Sequence, residues 1–486
     1  MTTTWFDESE VIAPLDTFGT LPGWLAAAMD PPLVTASLRR HVPELRDGRL
    51  QLVSCAPERL RAKGDEWLAR YRLGVVAADG ETREVVAVGN LWPPAAGDLP
   101  SVPASDCTGR FGQDGWRCLL PDLRLELRHE ARDPALPALQ QIVDPDGAAQ
   151  LLQEVLQEAG YDDAVIESCR PRVVRYKPGS RCTVVVDVRY ADPGSRTPPN
   201  PLVIKTHQGD KGQTAWAAMT ALWDSPVARE GVVTLAEPLA YRPEERILVQ
   251  GPIAEERTLK ELARESITGS ITGSITGSTG TLDLLRDELA KTGRALAALH
   301  GSGATYGATA TLGGELAEVE EVIGRLSGSV PELEKAAEPL LQRLHDLDDA
   351  IPAESPVPAH HDFRPAQVLL HQGSVGFIDF DGASMAEPAL DLGRFRAKLR
   401  DIGISALAAS GQPLAGQALA DNLRLMDELC EHFLDAYRAE APVSRERVLL
   451  WETTDLVTAM LHAWTKVRLA RLQPRLAVLL YQLRSV

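Results

Sequence analysis

Two short apolar runs, Val368-Leu369-Leu370 and Val375-Gly376-Phe377-Ile378, flank the polar tetrapeptide His371-Gln372-Gly373-Ser374. They read as two buried strands joined by a hairpin turn. Asp362 and Gln367 then stand just before the first strand, and Asp379 and Asp381 just after the second. Carboxylates and an amide oxygen gathered at strand ends suit a divalent metal that also binds phosphate. Magnesium takes few protein oxygens and keeps water or phosphate as its remaining ligands.

The stretch His360-His361-Asp362-Phe363-Arg364-Pro365-Ala366-Gln367-Val368-Leu369-Leu370, followed by Ile378-Asp379-Phe380-Asp381, resembles the catalytic and metal loops of the aminoglycoside phosphotransferase and choline kinase superfamily. The resemblance runs from about residue 165 to about residue 400. It implies an α+β, protein-kinase-like fold with a β-rich small lobe and a helical large lobe. It also implies ATP, Mg2+ and a small-molecule hydroxyl as acceptor. Carried over residue by residue, Asp362 is the base that accepts the acceptor's proton, and His360 props its loop. Asp379 is the metal ligand, with Gln367 and Asp381 as further metal contacts. The family has Asn where this chain has Gln367, one methylene longer. Lys205 matches the strand lysine that holds nucleotide phosphates, and Ser180 and Arg181 lie in the loop expected over them. Gln250, Pro252 and Ile253 fall at the hinge that meets the nucleotide base. His300 and Asp391 are expected to support the catalytic loop rather than to act in it.

The rest of the chain can be ordered around this core. Arg172 to Lys177, Arg181 to Val188 and Leu202 to Thr206 read as strands, with Lys177-Pro178-Gly179-Ser180 as a turn. Gln213 to Trp223 reads as a helix, and Val232 to Ala240 and Arg246 to Gln250 as strands. These form a small lobe over 146–250, opened by a helix over 146–164 whose Leu151, Leu152, Val155 and Leu156 fall at helical spacing. A helical large lobe follows over 251–486, with helices expected at 282–300, 390–399, 414–437, 445–471 and 475–483. Within it Ile-Thr-Gly-Ser occurs three times between Ile267 and Ser278, so 266–280 is expected to be a flexible surface insert. Residues 1–145 are expected to form an N-terminal accessory α/β domain, with a hairpin around Asp79-Gly80.

At 486 residues the chain is long enough for two or three domains. Its net charge of −18 opposes a phosphate-backbone partner, so nucleic acid is not expected. No apolar run reaches membrane-spanning length. The six cysteines show neither Cys-x-x-Cys spacing nor a compact disulfide framework, and a reducing cytoplasm is the expected setting. Nothing specifies an oligomeric state.

Two departures leave alternatives open. Gln367 replaces the family's Asn, and the helix 213–223 contains no acid to pair with Lys205, so Gln213 or Asp210 substitutes or the lysine is held differently. A binding module without turnover is therefore one alternative, and a sugar kinase of the maltokinase or glucosamine kinase type is the other. Aminoglycoside-like compounds, sugars and other polyols are the acceptor classes in view, and GTP remains open as donor. Acids after residue 400 (Asp401, Asp421, Asp427, Glu428, Asp455) could meet a cationic acceptor or simply lie on solvated helix faces.

Overall fold

The computed structural model describes residues 5–63, 66–77, 80–94, 107–129, 136–177, 179–272 and 278–486. Asp79, Pro178 and the last part of the Ile-Thr-Gly-Ser stretch lie outside the described residues. No helix among those described is long and apolar enough to cross a membrane.

The chain forms two compact units. The first comprises Met1–Arg132, Gly313–Leu347 and Thr453–Val486. Its centre is a six-stranded antiparallel sheet of β1 (Leu50–Lys63), β2 (Glu66–Ala77), β3 (Thr82–Leu91), β4 (Cys107–Thr108), β5 (Arg117–Leu120) and β6 (Leu125–His129), in the order β1-β2-β3-β6-β5-β4. Along β2, Trp67, Ala69, Tyr71, Leu73 and Val75 are buried in strict alternation, the period-two pattern of a strand with one covered face. Segments distant in sequence join this unit through buried polar tips of aromatic residues. The Trp67 indole N–H donates to Ser329 Oγ at 3.3 Å, and the Trp464 indole donates to the Phe18 carbonyl at 2.8 Å. Two stretches assigned by sequence to the helical large lobe thus pack with the N-terminal region. Cys107 and Cys118 face each other across β4 and β5 and form a disulfide, a pairing that their spacing did not announce. Cys55, Cys169, Cys182 and Cys430 are not disulfide-bonded.

The second unit comprises Asp133–Leu312 and Asp348–Glu452. The helix Pro145–Glu158 opens its small lobe, with Asp144 capping through Oδ2 to the Gly147 N–H at 2.8 Å and Pro145 in the first turn. It packs on a five-stranded antiparallel sheet of β7 (Val165–Lys177), β8 (Arg181–Asp192), β9 (Leu202–His207), β10 (Pro238–Arg242) and β11 (Ile247–Gln250), ordered β10-β11-β9-β8-β7. The helix Lys211–Trp223 interrupts the strand series, as expected. Leu151, Leu152, Val155 and Leu156 meet Val184, Val186, Leu202 and Ile204 in one apolar core.

The large lobe follows with β12 (Arg257–Thr258), β13 (Val357–Ala359), β14 (Val368–His371), β15 (Ser374–Phe377) and β16 (Ser384–Ala386) set among helices. The β14–β15 hairpin turns at Gln372 (φ 46°) and Gly373 (φ 82°), the two left-handed positions that suit the twist of paired strands. The helix Leu259–Thr272 runs into the region expected to be a flexible insert. Ile267 is buried and Ser266 Oγ donates to the Thr281 carbonyl at 3.0 Å. A four-residue repeat places Ile267 and Ile271 one turn apart on a single helix face, which explains why a Gly/Ser/Thr-rich stretch can be helical here. The expected helices 445–471 and 475–483 are Arg445–Thr465 and Leu469–Ser485, so the break falls earlier than expected, around Val467 (φ 48°).

Candidate active site

The segment expected to be the catalytic loop runs from β13 to β14, and the segment expected to be the metal loop leaves β15. The Ile378 N–H donates to the Gln367 carbonyl at 3.1 Å, tying one loop to the other. His360 is buried. Its backbone N–H donates to Asp391 Oδ2 at 2.7 Å, and its ring Nε2 lies 2.9 Å from the Ile378 carbonyl. Its ring sits between Phe363 and Phe380, at centroid distances of 5.6 and 4.7 Å. Asp391, in the first turn of the helix Ala389–Ala409, also pairs with His300 Nε2 at 3.2 Å, and His300 Nδ1 meets the Tyr437 hydroxyl at 2.9 Å. His360, His300 and Asp391 therefore form a buried frame behind the loop.

Asp391 is completely buried. Burial alone disfavours its charge, but the bonds to His300 and His360 outweigh it and hold the carboxyl below its ordinary range. A carboxyl depressed in the folded state contributes stability that is complete above the unfolded value, near pH ~4, and is lost as pH falls through the folded value. Urea midpoints are accordingly expected to fall on acidification from pH 6 towards pH 3. Asp391→Asn is expected to be less stable at neutral pH and to show a shallower acid loss. An unchanged slope in that variant would remove Asp391 as a source of the pH dependence.

In front of this frame the carboxylates converge. The Asp362 side chain remains 43% exposed, open to a substrate, while its Oδ2 lies 3.0 Å from Arg364 Nη2 and 3.2 Å from Gln367 Nε2. The Gln367 amide also donates to Asp379 Oδ2 at 3.3 Å, and its oxygen accepts from Arg364 Nε at 2.6 Å. In this arrangement Gln367 bridges the two carboxylates through N–H. The expected metal contact through its oxygen requires the amide to turn over.

Asp379 adopts a left-handed backbone (φ 74°, ψ 52°), as does His361 (φ 68°). Such conformations cost a side-chain-bearing residue about 1–3 kcal/mol each and collect at functional loops. Lys205 Nζ lies 3.3 Å from Asp379 Oδ1 and 3.8 Å from Asp381 Oδ1. Lys205 is thus held by the metal loop, which resolves the missing acid in the helix Lys211–Trp223. Arg181 Nη1 lies 3.1 Å from Asp381 Oδ2 and 3.5 Å from Asp379 Oδ2. Burial opposes the charge on both aspartates, yet Lys205, with Arg181 at Asp379 and His207 at Asp381, holds both carboxyls below the usual range.

The nucleotide contacts expected from the sequence occupy varied positions. The Ser180 N–H donates to the Lys177 carbonyl at 3.0 Å, so it serves the turn rather than facing outward. Gln250 is buried at the end of β11 with its Oε1 unpartnered among the described residues. At the expected hinge the Gly251 N–H is committed to the Glu237 carbonyl at 2.8 Å and Pro252 has none, so neither offers a backbone donor to a base. Of the acids considered for a cationic acceptor, Asp427 pairs with Arg400 at 2.6 Å and Asp421 pairs with Arg424. Two residues of the site were not anticipated. Arg364 orients Asp362 and Gln367, and His207 approaches Asp381. The signal for His207 was available, because it stands two residues after Lys205 and therefore on the same strand face.

Residues 227–429 match the model of the phosphotransferase enzyme family (APH). No curated protein matches the chain. Among solved structures the chain is similar to a glucosamine kinase, at 17% identity and a TM-score of 0.46 over 94% of this chain and 97% of that one. It is also similar to a choline/ethanolamine kinase family protein from Mesorhizobium loti, at 16% identity and a TM-score of 0.39 over 69% of this chain and 99% of that one. The choline kinase LicA from Streptococcus pneumoniae compares at 15% identity and a TM-score of 0.41, over 69% and 100%.

Proposed function

We propose, on the premise that residues 227–429 match the model of the phosphotransferase enzyme family, that the protein moves the γ-phosphate of ATP to a hydroxyl of a small molecule, with Mg2+. The observation that carries this is the convergence of Asp362, Gln367, Asp379 and Asp381 with Lys205 and Arg181 at the ends of one hairpin and one strand pair.

The donor set fits magnesium. Asp381 Oδ1 is buried and accepts no hydrogen bond among the described residues, so it has capacity for a cation as well as the Lys205 ammonium 3.8 Å away. Among those residues no group of three or more His, Cys, Asp or Glu side chains is placed to hold a metal, so the ion would rest on Asp379, Asp381 and phosphate oxygens, in keeping with magnesium's habit. Bound there, magnesium would neutralise phosphate charge as the γ-phosphoryl leaves. Lys205 and Arg181 would meet phosphate oxygens, and the exposed Asp362 would take the proton of the attacking hydroxyl. His360, through Asp391 and Ile378, would keep the loop in place. The acceptor proposed from the sequence resemblance is a sugar, an aminoglycoside-like compound or another polyol.

A second reading, a nucleotide-binding module without turnover, draws on the Gln367 amide, which presents N–H to the carboxylates. One assay separates the two. The protein is given MgATP with a panel of amino sugars, aminoglycosides, oligosaccharides, polyols and amino alcohols, and ADP release and phosphorylated product are followed together. A phosphorylated product from one class is the expected result. Nucleotide binding with no product from any class favours the module, and no nucleotide binding at all rejects both readings.

A further inference from the structure

His207 has no part in the machinery described so far, yet its placement is specific. It ends β9 directly opposite Arg181 of β8, so this single cross-strand pair delivers two donors to Asp381. The imidazole is 2% exposed, with Nε2 2.8 Å from Asp381 Oδ2, while Nδ1 is buried and unpartnered among the described residues. Burying a polar ring is costly where an apolar side chain would fill the same space. Among the described residues its one polar side-chain contact is the Asp381 carboxylate. That carboxylate is occupied asymmetrically: Oδ2 receives His207 and Arg181, whereas Oδ1 accepts no hydrogen bond among the described residues and lies 3.8 Å from Lys205 Nζ.

We propose that His207 is a positioning residue for phosphoryl transfer: by engaging Oδ2 it fixes the rotation of the Asp381 carboxylate and leaves Oδ1 as the oxygen available to the divalent cation. The proposal rests on the phosphotransferase reading of the site. Arg181 cannot do this alone, because its guanidinium is shared with Asp379 and is also the group expected to meet phosphate. His207 is committed to Asp381, so the orientation persists when Arg181 turns to the nucleotide.

The test is Mn2+ binding to the full chain in the presence of a non-hydrolysable ATP analogue, read from the electron paramagnetic resonance of free Mn2+. Nucleotide affinity without metal is titrated separately. His207→Leu is expected to weaken Mn2+ binding by about 10–100-fold, the usual effect of removing a partner that orients a metal ligand, with metal-free nucleotide affinity unchanged. His207→Gln, whose amide N–H reaches about as far as Nε2, is expected to recover most of the loss. Circular dichroism and the melting temperature check folding, and if the leucine variant unfolds, His207→Asn, polar but too short, carries the same test. Mn2+ affinity unchanged in the leucine variant overturns the proposal, and so does a glutamine variant as weak as the leucine one. Wild-type protein that takes up no Mn2+ with nucleotide would instead remove the phosphotransferase reading, and the proposal with it.

Discussion

Replacing Asp362 with asparagine is expected to lower kcat by about 10²–10⁴-fold, the usual contribution of a positioned general base, while leaving the affinity for MgATP nearly unchanged. The Asp362 side chain is 43% exposed, whereas Asp379 and Asp381 are only 12% and 10% exposed, so Asp362 is the most accessible of the three carboxylates. Its two partners, Arg364 and Gln367, can both donate to an amide oxygen, though the Arg364 bond loses its charge assistance, so the loop is expected to keep its shape in the variant. Steady-state kinetics with the acceptor found in the panel, together with calorimetric titration of MgATP, check the expectation. A variant that retains more than a tenth of wild-type kcat would take the base role from Asp362, and one that loses nucleotide binding would show that the substitution disturbs the metal loop instead.

The largest stability effect is expected at Glu452. This carboxylate is 0% exposed and accepts from Arg396 Nε at 2.7 Å and Arg400 Nε at 2.5 Å. Burial opposes its charge, but the two arginines outweigh that cost and hold the carboxyl low. Glu452→Ala strands two buried guanidinium groups, which keep only Glu431 at 3.0 Å and Asp427 at 2.6 Å as partners. Losing one member of a buried ionic cluster typically costs about 3–5 kcal/mol. The urea midpoint should fall accordingly, and a loss below about 1 kcal/mol would show that solvent or the remaining acids replace Glu452. Converting Arg396, Arg400 and Glu452 together to apolar residues of similar volume should restore much of the loss, because no unpaired charge then remains. The cluster also bears on the site. Arg396 and Arg400 lie on the helix whose first turn carries Asp391, the acceptor of the His360 N–H, so the cluster helps fix the helix that holds the catalytic loop.

Most small-lobe strands, the helix Lys211–Trp223 and the β14–β15 hairpin were legible, because each is a local pattern of alternation, helical spacing or turn residues, whereas the expected strand 232–240 is realised only as β10 from Pro238. The Ile-Thr-Gly-Ser stretch misled because its composition signals a linker while its four-residue period signals a helix. Burial of Ile267 decided for the helix as far as Thr272. The Cys107–Cys118 disulfide was not legible, since opposition across β4 and β5 is a matter of strand register and not of cysteine spacing.

By itself the amino-acid order determined which chemical groups the site contains, because Asp362, Gln367, Asp379 and Asp381 all lie within one hairpin and its approaches, where local geometry brings them together. Only the tertiary structure decided what those groups face. Lys205 and Arg181, both expected to serve the nucleotide, pair with Asp379 and Asp381, nearly two hundred residues away in the chain. Long-range packing also decided that Glu452 lies between Arg396 and Arg400, and that two stretches of the expected large lobe join the N-terminal unit. The physical reason is common to all of these. A side chain's local conformation follows from its near neighbours, whereas a buried charge must find a partner wherever the completed fold places one.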